Sequence, residues 1–217
     1  MNVVKKVNAS EAATLPRIVL VDANVFFSPR MRDLVMHLHA EELINVHWTK
    51  EIEAEWTRNV VAKQGADAED IQACLRGMRD AVDGWEVTGY HKHKAKFEPV
   101  DPKDHHVAAA AYKLSLDDGP GQDLALVTKN VKDFPQRVFE GTHVTLYSLS
   151  GYIDALYAAE SDRVANVTEG CRSTGLARGL SELWSVECPK VAKDGTLFYE
   201  SDVPTKKPAM KKAERKR

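Results

Sequence analysis

Six side chains of this chain have the types and positions from which a metal centre is built: Asp22, Glu55, Asp104, Thr128, Asn130 and Asp133. Asp22 ends the apolar run of residues 18 to 21, Asp104 opens an alanine-rich stretch with strong helix propensity, and Thr128, Asn130 and Asp133 follow a further apolar run. Glu55 falls about one turn into a helix predicted after the second strand. In an open parallel sheet, ligands bind outside the carboxyl ends of the strands, so residues there and at the starts of following helices can converge. Crowded carboxylates repel one another and their pKa values rise unless a cation neutralises them. A set of acids without matching arginines therefore points to a metal, and all-oxygen ligation suits Mg²⁺ or Mn²⁺ better than zinc.

Each residue also has a plainer reading. An aspartate after a strand is often a turn former or helix cap, which covers Asp22 and, before Phe134-Pro135, Asp133. Asp104 could serve only to complement a helix dipole. Glu51 and Glu53 compete with Glu55, but they lie off the apolar stripe Ile52, Trp56, Val60, which places them on a solvated face. His105 and His106 adjoin Asp104, yet neighbours on a helix diverge by about 100°, so at most one can point at the site. His91 and His93 sit in a lysine-rich segment read as a loop, and the four tryptophans read as core or interface residues.

The elements that must position these residues follow from periodicity. Residues 18 to 21 read as a strand buried on both faces, 30 to 43 as an amphipathic helix, and 44 to 48 as a second strand, a β-α-β start that favours a parallel sheet. Thr49 is placed to cap the next helix, which carries Glu55. A helix over 68–81, an extended piece around 85–90 and a polar loop to Pro102 lead to the helix opened by Asp104. The stop DDGPG precedes the third strand, and residues 143 to 150 supply a fourth. Beyond them the signals predict one helix from about Gly151 to Ala165 and another around Leu176 to Trp184.

The segments RIVLVDANVFF, WTKEIEAEW, DPKDHHVAAAA and LVTKNVKDFP, in this order and spacing, resemble the four acidic motifs of the PIN-domain family over about residues 17 to 150. The chain is similar in particular to the PIN proteins that act as VapC-type toxins of type II toxin-antitoxin pairs. The resemblance implies a three-layer α/β/α sandwich with a mostly parallel central sheet, and a Mg²⁺- or Mn²⁺-dependent endoribonuclease with RNA as substrate and an antitoxin as partner. Homodimerisation stays open. Asp22, Glu55, Asp104 and Asp133 would be the metal-holding acids, and Thr128 and Asn130 the polar residues that position a phosphate or ligand. Phosphodiester hydrolysis fits such a site, because a bound cation lowers the pKa of water and neutralises phosphoryl charge, with two ions roughly 3.5 to 4 Å apart in the two-metal form. Where some members carry an acid, this chain has Asn130, so either Asp133 or Asn130 completes the set. Two other readings compete: a non-catalytic RNA- or partner-binding relative, and a haloacid-dehalogenase-like phosphatase. The latter usually needs D-x-D where this chain has Asp22-Ala23-Asn24.

Composition agrees with a soluble protein of one domain and an appendage: 217 residues, 43% hydrophobic and 29% charged. Three scattered cysteines form no C-x-x-C pair, and neither an apolar leader nor a membrane-length apolar run is present, so a cytoplasmic setting is expected. The expected organisation is a lead-in (1–16), a nuclease domain (17–150), a helical or irregular extension (151–203) and a basic tail (204–217) whose composition predicts mobility. The tail carries net +6, leaving −8 on the remainder of a chain whose total is −2. Such a tail either gathers an anionic RNA toward an acidic body or only solubilises it. Truncation at Pro204 separates the two. A gathering tail predicts weaker RNA binding at low salt and a slope of log K on log salt flattened by about 0.7 per lost phosphate contact. A solubilising tail predicts an unchanged slope.

Overall fold

The structure, a computed structural model, describes residues 15–117 and 122–171, together with 190–191 and 197–198. Four strands form one sheet in the order β2-β1-β3-β4, all parallel: β1 (Ile18–Val21), β2 (Asn45–His47), β3 (Leu124–Thr128) and β4 (Val144–Ser148). β3 is buried along its whole length, as a strand covered on both faces must be. Between β1 and β2 run a single turn, α1 (Ala23–Phe26), and α2 (Pro29–Ala40). The long crossover from β2 to β3 holds α3 (Lys50–Gln64), α4 (Ala68–Ala81), 3₁₀ segments at Tyr90–Phe97 and Pro102–Asp104, and α5 (His105–Asp117). After β4 come α6 (Leu149–Ala159) and α7 (Ser161–Cys171). Helices cover the sheet to give the three-layer α/β/α sandwich: α5 packs on β1, β3 and β4, α6 packs on β3 and β4, and α7 joins α6 to α2. A separate antiparallel pair, β5 (Lys190–Val191) with β6 (Leu197–Phe198), lies beyond.

Local chemistry explains the boundaries that matter for the site. The Thr49 hydroxyl accepts the Ile52 amide at 3.0 Å and starts α3, while Gly65, in the left-handed conformation at φ 63°, stops it. Ile52, Trp56 and Val60 are all buried, as their spacing predicts. In α5 the residues Val107 to Ala111 are fully buried, and four of them are alanines, enclosed between the sheet and the 3₁₀ helix Tyr90–Phe97.

The structure departs from the sequence expectations in three places. Residues 90 to 97, expected as loop, form a 3₁₀ helix packed on α5 with Tyr90 and Phe97 buried. The helix expected from about Gly151 to Ala165 is two helices, α6 and α7, broken at Glu160, whose φ of −141° leaves the helical region. Glu53, expected on a solvated face, is buried: one oxygen accepts from Trp48 Nε1 and Arg79 Nε, both at 2.9 Å, and the other from Arg79 Nη2. The expected helix around Leu176 to Trp184 and the tail 204–217 lie outside the described residues.

Losing a buried acceptor strands its donors. Glu53→Ala, which leaves the Trp48 and Arg79 donors unpaired, is expected to destabilise the protein by about 2–3 kcal/mol, discounted from a fully buried pair because Arg79 is partly exposed. Urea denaturation measures it; a change within experimental error would mean that the Glu53 cluster contributes nothing to the fold.

Candidate metal centre

The strand order runs to one side of β1 for β2 and to the other for β3, so the direction in which strands are added to the sheet reverses between β1 and β3. A crevice opens at the carboxyl ends of strands at such a switch point. Asp22 and Thr128 stand there. The Asp22 amide donates to Val127 O at 3.1 Å, one residue past the end of β1, and this fixes the carboxylate beside the last residue of β3. Its Oδ2 then accepts from the Thr128 hydroxyl at 2.6 Å and from Asn24 Nδ2 at 2.5 Å.

Asn24 is the residue that the sequence reading missed. Besides holding Asp22, its Nδ2 donates to Thr128 Oγ1 at 2.9 Å and its Oδ1 accepts the Lys129 amide at 2.9 Å, so it stitches the β1 and β3 ends together. The D-x-N spacing was visible in the sequence, but there it counted only as an absent second acid. Asn130 enters through its amide, which donates to Thr128 Oγ1 at 3.0 Å.

Asp104 comes from the other direction, at the end of the 3₁₀ turn that runs straight into α5. It is 4% exposed, and its Oδ2 accepts no hydrogen bond. Burial first, then the negative charges of Asp22 and Glu55, push its pKa up to about 6 against the pull of Lys103. Asp22 is displaced the same way, chiefly by burial and further by Glu55, although the Thr128 hydrogen bond stabilises its ionised form. The negative charges of Asp22 and Glu55 thus both act on Asp104, and that of Glu55 acts on Asp22 as well.

Glu55 is partly exposed and faces His106, whose Nε2 lies 3.3 Å from Glu55 Oε2. His106 is buried, and its Nδ1 has no hydrogen-bond partner. The ambiguity between the two histidines is thus resolved, because His105 turns away to Val100 O at 2.9 Å. Glu51 is engaged by Lys94 and Tyr90: partial burial would raise its pKa, but Lys94, with an ammonium 3.0 Å from its carboxylate, and the nearby His106 hold it below the usual range. Asp133 is half-buried and meets the cluster through Lys103, 3.3 Å away.

Among the described residues, no three His, Cys, Asp or Glu side chains stand close enough to hold an ion as they are. The donor set nonetheless suits a hard divalent cation: all oxygen, two buried like charges with raised pKa values, and an Asp104 oxygen without a hydrogen bond. Compared with family models, curated proteins and solved structures, the chain has no match.

The raised pKa of Asp104 carries a stability consequence. With a native value of about 6 and an ordinary value near 3.8, the folded state binds more protons across that window. Stability is therefore fully present below about pH 4 and is lost as pH rises through about 6. Asp104→Asn is expected to flatten this loss and, in chelator at pH 7.5, to stabilise the protein by about 1–2 kcal/mol, the residual slope belonging to Asp22. Denaturation curves between pH 4.5 and 7.5 test it, and an unaltered slope would show that Asp104 carries no such strain.

Proposed function

We propose that this chain is a Mg²⁺- or Mn²⁺-dependent endoribonuclease of the PIN type, the toxin of a type II toxin-antitoxin pair, with RNA as its substrate and an antitoxin as its partner. One observation carries the reading: Asp22 and Asp104, two buried acids with raised pKa values, share the carboxyl-end crevice of the β1–β3 switch point with Thr128 and Glu55. The motif resemblance supplies the nuclease, the RNA and the antitoxin. Among the described residues, no helix is long and apolar enough to cross a membrane.

Asp22 and Asp104 would hold the cation, with Glu55 completing the set directly or through water. When bound, the ion supplies a water of lowered pKa and positive charge at the phosphoryl oxygens. Thr128 and Asn24 orient Asp22 by donating to one oxygen, and the Thr128 bond offsets part of the rise that burial imposes on its pKa. His106 steadies Glu55 from behind, and a carboxylate so held can orient the attacking water. The phosphatase reading loses ground here, because Asn24, at the position of its second acid, is engaged by Asp22, Thr128 and Lys129.

The test is cleavage of single-stranded RNA by the purified chain with Mn²⁺ or Mg²⁺ and with chelator. Asp22→Asn and Asp104→Asn are each expected to lower cleavage by at least about 10²-fold with the fold intact by circular dichroism, and Glu55→Gln by a comparable factor. Full activity in a folded variant removes that residue from the site. Cleavage that survives chelation contradicts the reading as a whole.

A further inference from the structure

Three aspartates share one lysine. Lys103 Nζ stands 3.3 Å from Asp133 Oδ2, 3.6 Å from Asp101 Oδ2 and 3.8 Å from Asp104 Oδ2. The backbone arranges this meeting. Asp101 caps the 3₁₀ turn Pro102–Asp104 by accepting the Lys103 amide at 3.1 Å, which sets Lys103 and Asp104 side by side. The Asp101 amide reaches Asp133 O at 3.4 Å and ties this turn to the one at Val131–Asp133.

The bonding around Asp104 is incomplete despite the nearby ammonium. Its carboxylate is buried, yet the oxygen that faces Lys103 receives no hydrogen bond, because 3.8 Å is too long for one. Lys103 is 60% exposed, so its stem can swing into water without disturbing the core. Glu53 offers the contrast within the same molecule, since its carboxylate is engaged on both oxygens by the planar fork of Arg79. One acid is locked by its cation and the other is only covered.

We propose that Lys103 is a built-in stand-in for the divalent cation: its ammonium covers Asp104 and Asp133 in the metal-free protein and must move aside before an ion can take Asp104. The inference rests on the metal-site reading above. It gives Asp133 a specific task, holding the displaceable lysine by the shortest of the three contacts rather than meeting Asp22. It also explains how buried like charges persist without an ion: a weak, exposed ion pair offsets part of the repulsion and is readily exchanged for a stronger cation. A lysine suits this role because its point charge tolerates several geometries, whereas an arginine would clamp two oxygens at once.

Isothermal titration of the full chain with Mn²⁺ alone tests the exchange. Lys103→Met is expected to bind Mn²⁺ roughly fivefold more tightly, the strength of the Lys103–Asp104 attraction that the ion must break, two unit charges about 4 Å apart in a water-like dielectric. Lys103→Arg is expected to bind more weakly than the wild type. In chelator at low ionic strength, Lys103→Met should melt below the wild type and recover more on adding Mn²⁺. Equal or weaker Mn²⁺ affinity in Lys103→Met overturns the proposal. If Asp104→Asn abolishes the wild-type signal while Lys103→Met leaves it unchanged, the lysine's role falls and the metal site stands. If neither wild type nor Lys103→Met binds Mn²⁺, both fall together.

Discussion

The parallel register between β1 and β3 is the constraint on which the rest depends. Pairing Ile18 with Leu124 and Val21 with Val127 makes the two strands end together, so that Asp22 and Thr128 become lateral neighbours although 106 positions separate them in the chain. Parallel pairing also requires long crossovers, and those crossovers deliver the other two acids. α3 brings Glu55 and the turn before α5 brings Asp104. A slip by one residue would turn Asp22 to the opposite face of the sheet and leave its amide without Val127.

That geometry puts acids where water is scarce, and the molecule treats them in two ways. Glu53, on α3, is neutralised by Arg79 and hydrogen-bonded by Trp48, inside a cluster that also stacks Trp48 on Trp85 with ring centroids 5.0 Å apart. It is part of the scaffold. Asp22 and Asp104 have no arginine partner among the contacts described, and burial, the largest cause in both, raises their pKa values. The difference separates a carboxylate locked by its cation from one held by hydroxyl and amide donors, as Asp22 is, and one with an oxygen left unbonded, as Asp104 is. Residues two positions apart on α3, Glu53 and Glu55, fall on opposite sides of that division.

Much of the fold was legible because hydrophobic runs ending in polar residues mark buried parallel strands, and strand-helix alternation restricts the sheet to parallel pairing. Asp22, Asp104 and Thr128 were legible for the same reason: each sits where such a run ends or a helix begins. Glu53 was misjudged because helical periodicity describes a residue's own helix, whereas its partner Arg79 comes from α4, 26 positions later. The 3₁₀ helix Tyr90–Phe97 lacks an apolar period and takes its order from packing on α5. Asn24 was overlooked since its role exists only once β3 lies beside β1. His105 and His106 could not be told apart from spacing, because helix phase fixes only their divergence.

The four buried alanines of α5 act as a spacer gauge. Asp104 reaches the crevice from the helix side and Asp22 from the sheet side, so the gap between helix axis and sheet sets the separation of the two carboxylates. Four consecutive helical residues spread over roughly 300° of the circumference, so Ala108 to Ala111 meet the sheet on one side and the 3₁₀ helix Tyr90–Phe97 on another. A single added branch there would press the helix away from one neighbour and carry the Asp104 end with it. Substitutions at these buried alanines would thus act at a distance on the spacing of Asp22 and Asp104, although none of the alanines bears a polar group.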